Sequence, residues 1–404
     1  MGLKLGIEKI PILSFFSGGG FLDLGFESNG FDIIWSNEIN PDFIYLRNYA
    51  YNKWLHSIGA NKESFITSSE SIENLTSYTI QRQAWHKKPS IFGIVGGPPC
   101  QDFSRSGTNY GFNGGRGKLT KILFQIIEQL KPSFFVVENV QNLYRKHKSG
   151  LYQVLKPLSE YYYIDLKVLN SIDFGVPQDR NRLFIVGFNK LLFNGYIPKP
   201  VDFWFNWPQN EFYQNAINKY DWPKTNPFQS IVDKPNNVPI ELTVSSCLVP
   251  SDSNIANANE FFKSYSHKFW TTEEGDTKNR SFKRLHRFRY SPTACYGNNE
   301  VHLHPYEIRR ISVREALRIQ SVPDSYELPK YLGRNLGLSS KFKMIGNAVP
   351  AVLAGAVAQS VYSFILNVVL LKNGYLDKEK EKCGNVKNLI KRYETGEISS
   401  ITST

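Results

Sequence analysis

The segment Gly96-Gly97-Pro98-Pro99-Cys100-Gln101-Asp102-Phe103-Ser104-Arg105 sets a thiol behind two glycines and two prolines. Glycine permits a sharp reversal and proline fixes φ, so such a turn cannot relax. The preceding Ile91-Phe92-Gly93-Ile94-Val95 has the apolar run of a short buried strand. Cys100 is therefore expected in a loop just past a strand's carboxyl end, where open α/β sheets place their chemistry. A lone cysteine is more often a buried and inert core residue. The rigid glycine-proline setting favours a nucleophile instead.

A second candidate site lies upstream. An apolar strand, Ile10 to Phe16, runs into Ser17-Gly18-Gly19-Gly20, followed by a helical pattern of Leu22, Leu24 and Phe26. The next strand, Phe31 to Ser36, ends at Asn37-Glu38. Glycines let a backbone approach a nucleotide-type ligand, and a carboxylate at the next strand end can accept both ribose hydroxyls. A dinucleotide fingerprint requires a third glycine where this chain has Asp23. A smaller adenosyl ligand is the better match.

These loops need a sheet to hold them. Further along come a glycine-rich stretch from Gly107 to Gly117, a helix over Leu119 to Leu130, and a strand, Ser133 to Val137, ending at Glu138-Asn139-Val140. Strands alternating with helices predict a doubly wound, largely parallel α/β sheet. From about Asn189 to His304 the chain is rich in Asn, Pro, Trp and Tyr with little helical period, which predicts a smaller, loop- and strand-rich lobe. Helical periodicity returns at Ser312 to Gln320 and after Pro350. The expected division is a large domain over 1–189, a small domain and hinge over 190–340, a returning C-terminal helix over 341–372 and a polar tail over 373–404.

The net charge of +12 points to a polyanionic partner such as nucleic acid. The cysteines Cys100, Cys247, Cys295 and Cys383 form no CxxC pair and no metal-ligand spacing with histidine. That excludes a zinc module and suits a reducing cytoplasm. No secretory signal is expected. The apolar stretch Pro350 to Leu371 carries Gln359, Ser360, Ser363 and Asn367. It reads as a buried helix rather than a membrane span.

Taken together, Phe16-Ser17-Gly18-Gly19-Gly20, Gly97-Pro98-Pro99-Cys100-Gln101, Glu138-Asn139-Val140, Gln178-Asp179-Arg180-Asn181-Arg182, Arg314-Glu315-Ala316 through Gln320, and Gly346-Asn347-Ala348-Val349-Pro350 resemble the DNA (cytosine-5)-methyltransferase family. The blocks fall in the family's order over nearly the whole chain and leave 190–290 as a variable region. The resemblance implies a Rossmann-like S-adenosylmethionine-dependent methyltransferase domain with a smaller target-recognition domain. Double-stranded DNA would be the partner and S-adenosyl-L-methionine the cofactor. A monomer in a bacterial cytoplasm is expected, with a cognate restriction endonuclease acting on the same site without direct contact.

By motif position the resemblance makes Cys100 the nucleophile. Glu138 becomes the carboxyl at cytosine N3, and Arg182 the arginine that holds the base. Arg180, two residues earlier, would support the same pocket or a phosphate. Cofactor contacts are implied for Phe16, Gly18, Gly19, Gly20, Glu38, Ile39, Pro99, Leu119, Asn347 and Val349. Ser104 to Gly117 fits a lid that closes over DNA once the base has left the duplex. Gln101, Ser104, Arg105 and Arg116 are then candidates for DNA contact. In the variable region, Lys278 to Tyr290 interleaves cations with aromatics, and Arg280, Lys283, Arg284, Arg287 and Arg289 are expected to meet phosphates. A solvated charged face is the alternative. The chain departs from the family at Phe21, where a second glycine is usual, at Ser14 in place of aspartate, and at Ser71 in the adenine-contacting pair. Those departures bear on cofactor affinity. Two other functions stay open at this level: a tRNA methyltransferase of the same fold, whose Cys-Phe-Thr signature does not occur here, and a catalytically silent DNA-binding protein.

Overall fold

The structure is a computed structural model that describes residues 9–60, 62, 65–99, 112, 114–194, 204–250, 252–279, 281–293, 296, 301–330 and 337–372. In chain order the large lobe comprises β1 (Ile10–Phe15), α1 (Phe21–Glu27), β2 (Phe31–Asn37), α2 (Pro41–Ser57), β3 (Ile66–Ser68), α3 (Ser77–Ala84), β4 (Gly93–Gly96) and α4 (Gly115–Leu130). It continues through β5 (Phe134–Val140), α5 (Asn142–Lys146), α6 (Lys148–Leu155), β6 (Tyr162–Asn170), β7 (Asn181–Asn189) and α7 (Lys190–Phe193).

The seven strands pair in the order β3-β2-β1-β4-β5-β7-β6. From β3 to β5 every pairing is parallel, whereas β7 runs antiparallel to both β5 and β6. The largely parallel prediction holds for the cofactor half and gives way at this edge. The reversal has a consequence for function. Because β7 runs backwards, its first residues lie where the parallel strands end, and Arg182 is in register with Val140. The chain leaves β1 toward β2 on one side while β4 lies on the other, so the topological switch point is between β1 and β4. Phe15 and Gly96 are paired there, so the loop before α1 and the glycine-proline loop emerge side by side.

Period-two alternation sorts the strand residues onto two faces. Ile12, Ile33, Val95, Phe134 and Val136 pack in one core with α1 and the long helix near the C-terminus. Leu13, Trp35, Ile94, Phe135 and Val137 pack in the other, with α4 and α6. Burial on both faces explains why these strands read as continuous apolar runs. Phe193, Phe205 and Trp207 also belong to the first core, so packing on the sheet continues beyond the expected boundary at residue 190.

The remaining described α-helices and β-strands are α8 (Ala216–Lys219), α9 (Lys268–Thr271), the paired β8 (Lys283–Arg284) and β9 (His302–Leu303), then α10 (Val313–Ile319), α11 (Leu338–Asn347) and α12 (Ala351–Lys372). Apart from these pieces and two short 3-10 helices, Ile240–Leu242 and Val244–Cys247, the described part of 204–330 runs as loops and turns, so the loop-rich expectation fits it better than the strand-rich one. Leu338–Val368 is apolar and long enough to cross a membrane, but Leu353, Ala354, Val357, Ala358 and Val361 are fully buried against the sheet.

Buried histidines give the small lobe an acid sensitivity. Burial, with Lys283 nearby, pushes His302 down to about 3, and burial with Arg309, Arg284 and Arg287 pushes His304 down to about 2. Unfolded, each would titrate near its ordinary 6.5. Between those values the unfolded chain binds more protons, so stability is complete above about pH 6.5 and falls as the pH drops. The expected loss is roughly 1 kcal/mol per pH unit for each ring. Urea unfolding at pH 7 and pH 5 should show an earlier midpoint at pH 5, and equal midpoints would refute the assignment.

Candidate active site

At the β1 end the backbone departs from ordinary conformations. Phe16, Gly18 and Gly20 have φ of 53°, 52° and 68°. Left-handed φ suits the glycines and strains the phenylalanine, a feature that clusters at ligand sites. Gly20 caps α1, and the α1 N-terminus is aimed at the loop. Glu38, just past β2, accepts from Gly18 N at 2.9 Å through Oε2 and from Asn40 N at 2.8 Å through Oε1. Each carboxylate oxygen has a second acceptor site, so both remain able to take a ribose hydroxyl. That donor and acceptor set fits an adenosyl cofactor.

Beneath the loop, the departure at Ser14 acquires a reason. Ser14 Oγ donates to Asp23 Oδ1 at 2.6 Å, and Arg47 Nη2 meets Asp23 Oδ2 at 2.5 Å. Arg47 Nη1 also reaches Ser36 Oγ at 2.8 Å, and both Asp23 and Arg47 are fully buried. The negative charge usual at the strand has moved to α1 and is matched from α2. Arg47 was missed in the sequence because nothing in a polar helix position marks it as internal.

The second half of the site is built from β5 and β7. Glu138 lies inside β5 rather than at its end, and its Oε1 takes an ion pair from Arg182 Nε at 2.9 Å. Arg182 is further held by Nη1 donating to the Asn181 carbonyl at 2.8 Å. A Cβ at Gly97 would stand 3.1 Å from Glu138 Oε2, so the glycine admits the carboxyl to the loop. Asn139 Nδ2 donates to the Pro98 carbonyl at 3.4 Å, fixing the same loop from the next residue. Burial raises the Glu138 carboxyl above its ordinary value, against the opposing pull of Arg182 and Arg180. A carboxyl that holds its proton more tightly than an exposed one can serve as an acid.

The profile of the C-5 cytosine-specific DNA methylase family matches residues 10–363. The chain belongs to this family. Its relatives include the Type II methyltransferase M.NmeDI of Neisseria meningitidis serogroup C, 42% identical over 372 residues, covering 89% of this chain and 85% of the relative. Another is M.FnuDI of Fusobacterium nucleatum, 29% identical, covering 92% of this chain and 97% of that one. Among solved structures, the Dnmt2 methyltransferase of S. pombe superposes with a TM-score of 0.55 at 14% identity, covering 90% of this chain and 99% of that one. This last likeness speaks for the fold alone. The protein is thus a DNA (cytosine-5)-methyltransferase with the Rossmann-like fold of S-adenosylmethionine-dependent enzymes.

Within this methylase, Cys100, Gln101, Ser104, Arg105 and Arg280 lie outside the described residues, as does the Arg116 side chain. Gly115 to Gly117 form the first turn of α4, so the C-terminal end of the expected lid is helical. Pro99 and Leu119 are half-buried on the β4 side, Ile39 is exposed beside Glu38, and Asn347 is exposed at the end of α11. Val349 is buried in the core that includes Leu22. Arg180 is buried, with Nη2 donating to the Gly346 carbonyl at 2.9 Å. That removes the phosphate reading: Arg180 ties the start of β7 to the end of α11, and its charge still acts on the Glu138 carboxyl.

Arg284 corrects an expectation. Its guanidinium is fully buried and donates to the carbonyls of Thr272 at 2.7 Å, His304 at 2.6 Å and Phe269 at 2.5 Å. It also sits 3.8 Å over the Phe228 ring. No phosphate reaches such a group. Arg287 is similarly committed, to the fully buried Glu274 at 2.7 Å and to the Ser230 carbonyl at 3.3 Å. Lys283 and Arg289 are half-exposed. Arg284→Ala should therefore cost about 3 kcal/mol or more of stability by orphaning buried carbonyls. Chemical denaturation of Arg284→Ala beside the wild type reads this loss as an earlier midpoint.

Proposed function

We propose that the protein is the modification methyltransferase of a restriction–modification system. It transfers a methyl group to C5 of a cytosine flipped out of a specific duplex sequence. The observation that carries this reading is the Glu138–Arg182 pair, set against Gly97 at the base of the cysteine loop in a chain of the cytosine-5 family.

Cytosine C5 is too weak a nucleophile to take a methyl group unaided. In the proposed sequence the Cys100 thiolate forms a bond to C6, and Glu138 supplies a proton at N3. The ring becomes enamine-like, and C5 can then attack an electrophilic methyl. Arg182 holds the base and keeps the Glu138 carboxyl oriented. Loss of the C5 proton to solvent, return of the N3 proton to Glu138 and rupture of the sulfur–C6 bond restore the aromatic ring, the acid and the thiolate. S-adenosyl-L-methionine, when bound, supplies the sulfonium methyl. Phe16, Gly18, Gly19, Gly20, Glu38, Ile39, Pro99, Leu119, Asn347 and Val349 would hold it. The large domain would carry these groups, and about 190–340 would read the target, with Lys283 and Arg289 toward phosphates.

Labelled S-adenosylmethionine should methylate duplex DNA at discrete cytosines, and duplex carrying 5-fluorocytosine should trap a covalent adduct. Label appearing in tRNA and in no duplex would replace this reading with the RNA-directed one.

A further inference from the structure

One contact joins the two halves of the chain at the cofactor loop and has no place in the chemistry above. Tyr326, in the segment between α10 and α11, donates its hydroxyl to the Gly19 carbonyl at 2.7 Å. The bond is buried, and the Tyr326 ring is fully enclosed. Phe21, one of the departures from the family's glycine pattern, meets that ring edge-on at 5.7 Å and 90°. The phenylalanine fills space beside the loop and packs against the tyrosine that bonds the loop.

Gly19 is closed in on other sides as well. A Cβ there would stand 3.1 Å from Met344 Cγ and 3.2 Å from Phe21 Cε1. Its carbonyl has no room to turn toward water without displacing side chains from α11 and α1. A carbonyl so placed needs the partner it has.

Tyr326 is itself anchored in the C-terminal half. Its carbonyl accepts from Arg314 Nη2 at 3.1 Å, and Arg314 Nε donates to the Ala256 carbonyl at 2.9 Å. Its amide bonds Pro323 O at 3.0 Å, and Asn257 Oδ1 receives Leu328 N at 2.9 Å. The hydroxyl is thus presented from a braced turn rather than from a free side chain. Burial raises the phenol above its ordinary value, so it remains a donor throughout the working pH range.

We infer that Tyr326, with Phe21 as its ring partner, is a positioning residue that sets the cofactor loop from the C-terminal half of the chain. The inference rests on the proposed use of that loop for S-adenosylmethionine. Without the hydroxyl, the enclosed Gly19 carbonyl is left without a donor and the loop conformation it holds is destabilised. The binding conformation must then be re-formed each time the cofactor enters, a cost that falls on cofactor affinity.

Calorimetric titration with S-adenosylhomocysteine tests this in the full chain. Tyr326→Phe should raise its Kd about five- to tenfold, the equivalent of one buried carbonyl left without a donor. The KM for S-adenosylmethionine should rise in parallel, with kcat at saturating cofactor and the Kd for duplex DNA retained. A defect that were merely structural would lower kcat and DNA affinity together with the cofactor. Phe21→Leu keeps the hydroxyl and removes the ring edge, and should raise the Kd about two- to threefold. That variant carries the test if Tyr326→Phe does not fold. Wild-type protein that binds the cofactor while both variants match it would overturn the inference and leave the proposed function standing. Wild-type protein that binds none would remove both.

Discussion

Replacing Cys100 with serine abolishes methyl transfer, with an expected loss of more than about 10³-fold, while cofactor and duplex DNA still bind. The effect follows from what the first step requires. Attack at C6 needs a soft nucleophile that is ionised near neutral pH, and a serine hydroxyl is neither. Three residues before the thiol, Gly97 lies against the carboxyl of Glu138, which Arg182 holds in an ion pair. Cys247 cannot stand in. It is buried, and burial pushes its thiol up to about 12, so at neutral pH it is neither accessible nor ionised. The 5-fluorocytosine adduct should therefore map to Cys100 in wild-type protein and be missing from Cys100→Ser. Full turnover or a surviving adduct in that variant would remove Cys100 from the mechanism.

Much of this site could be read from the sequence, and the reasons differ from residue to residue. Gly18 to Gly20 and Glu38 were legible because a local pattern determines them: strand, glycines, helix, then an acid at the next strand end. The partnership of Glu138 with Arg182 was legible only through the family resemblance. It depends on β7 running antiparallel, and the strand's own apolar run carries no sign of direction. The basic run from Lys278 misled for a related reason. Charge along a sequence reports neither which side is solvent nor which carbonyls lie nearby. The carbonyls that enclose Arg284 come from Phe269, Thr272 and His304, which only the tertiary fold brings together. The same limit applies to Ser14. Its local sequence shows a missing aspartate, and the compensation lies in an α2 arginine reaching across to α1.

Glu138→Gln is the second large effect, and it separates proton supply from simple positioning. The amide can preserve the contact that Arg182 makes with Oε1, so the pocket keeps its shape, but it has no proton to give at N3. General acid catalysis of this kind contributes about 10²- to 10⁴-fold, and a loss in that range is expected in kcat with little change in DNA affinity. The pH profile makes the assignment specific. Burial raises the Glu138 carboxyl despite Arg182 and Arg180, so the protonated form persists at higher pH than for an exposed glutamate and is lost as the pH climbs through the raised value. Cys100 requires the opposite change, since its thiolate forms as the pH rises. Wild-type turnover should therefore show a bell, with the acidic limb set by the thiol and the alkaline limb by Glu138. In Glu138→Gln the alkaline limb should vanish while the acidic limb stays. If the variant keeps an unchanged alkaline limb, Glu138 only positions the base, and the proton at N3 comes from another group. If it keeps wild-type kcat as well, the Glu138–Arg182 pair has no part in activating the cytosine.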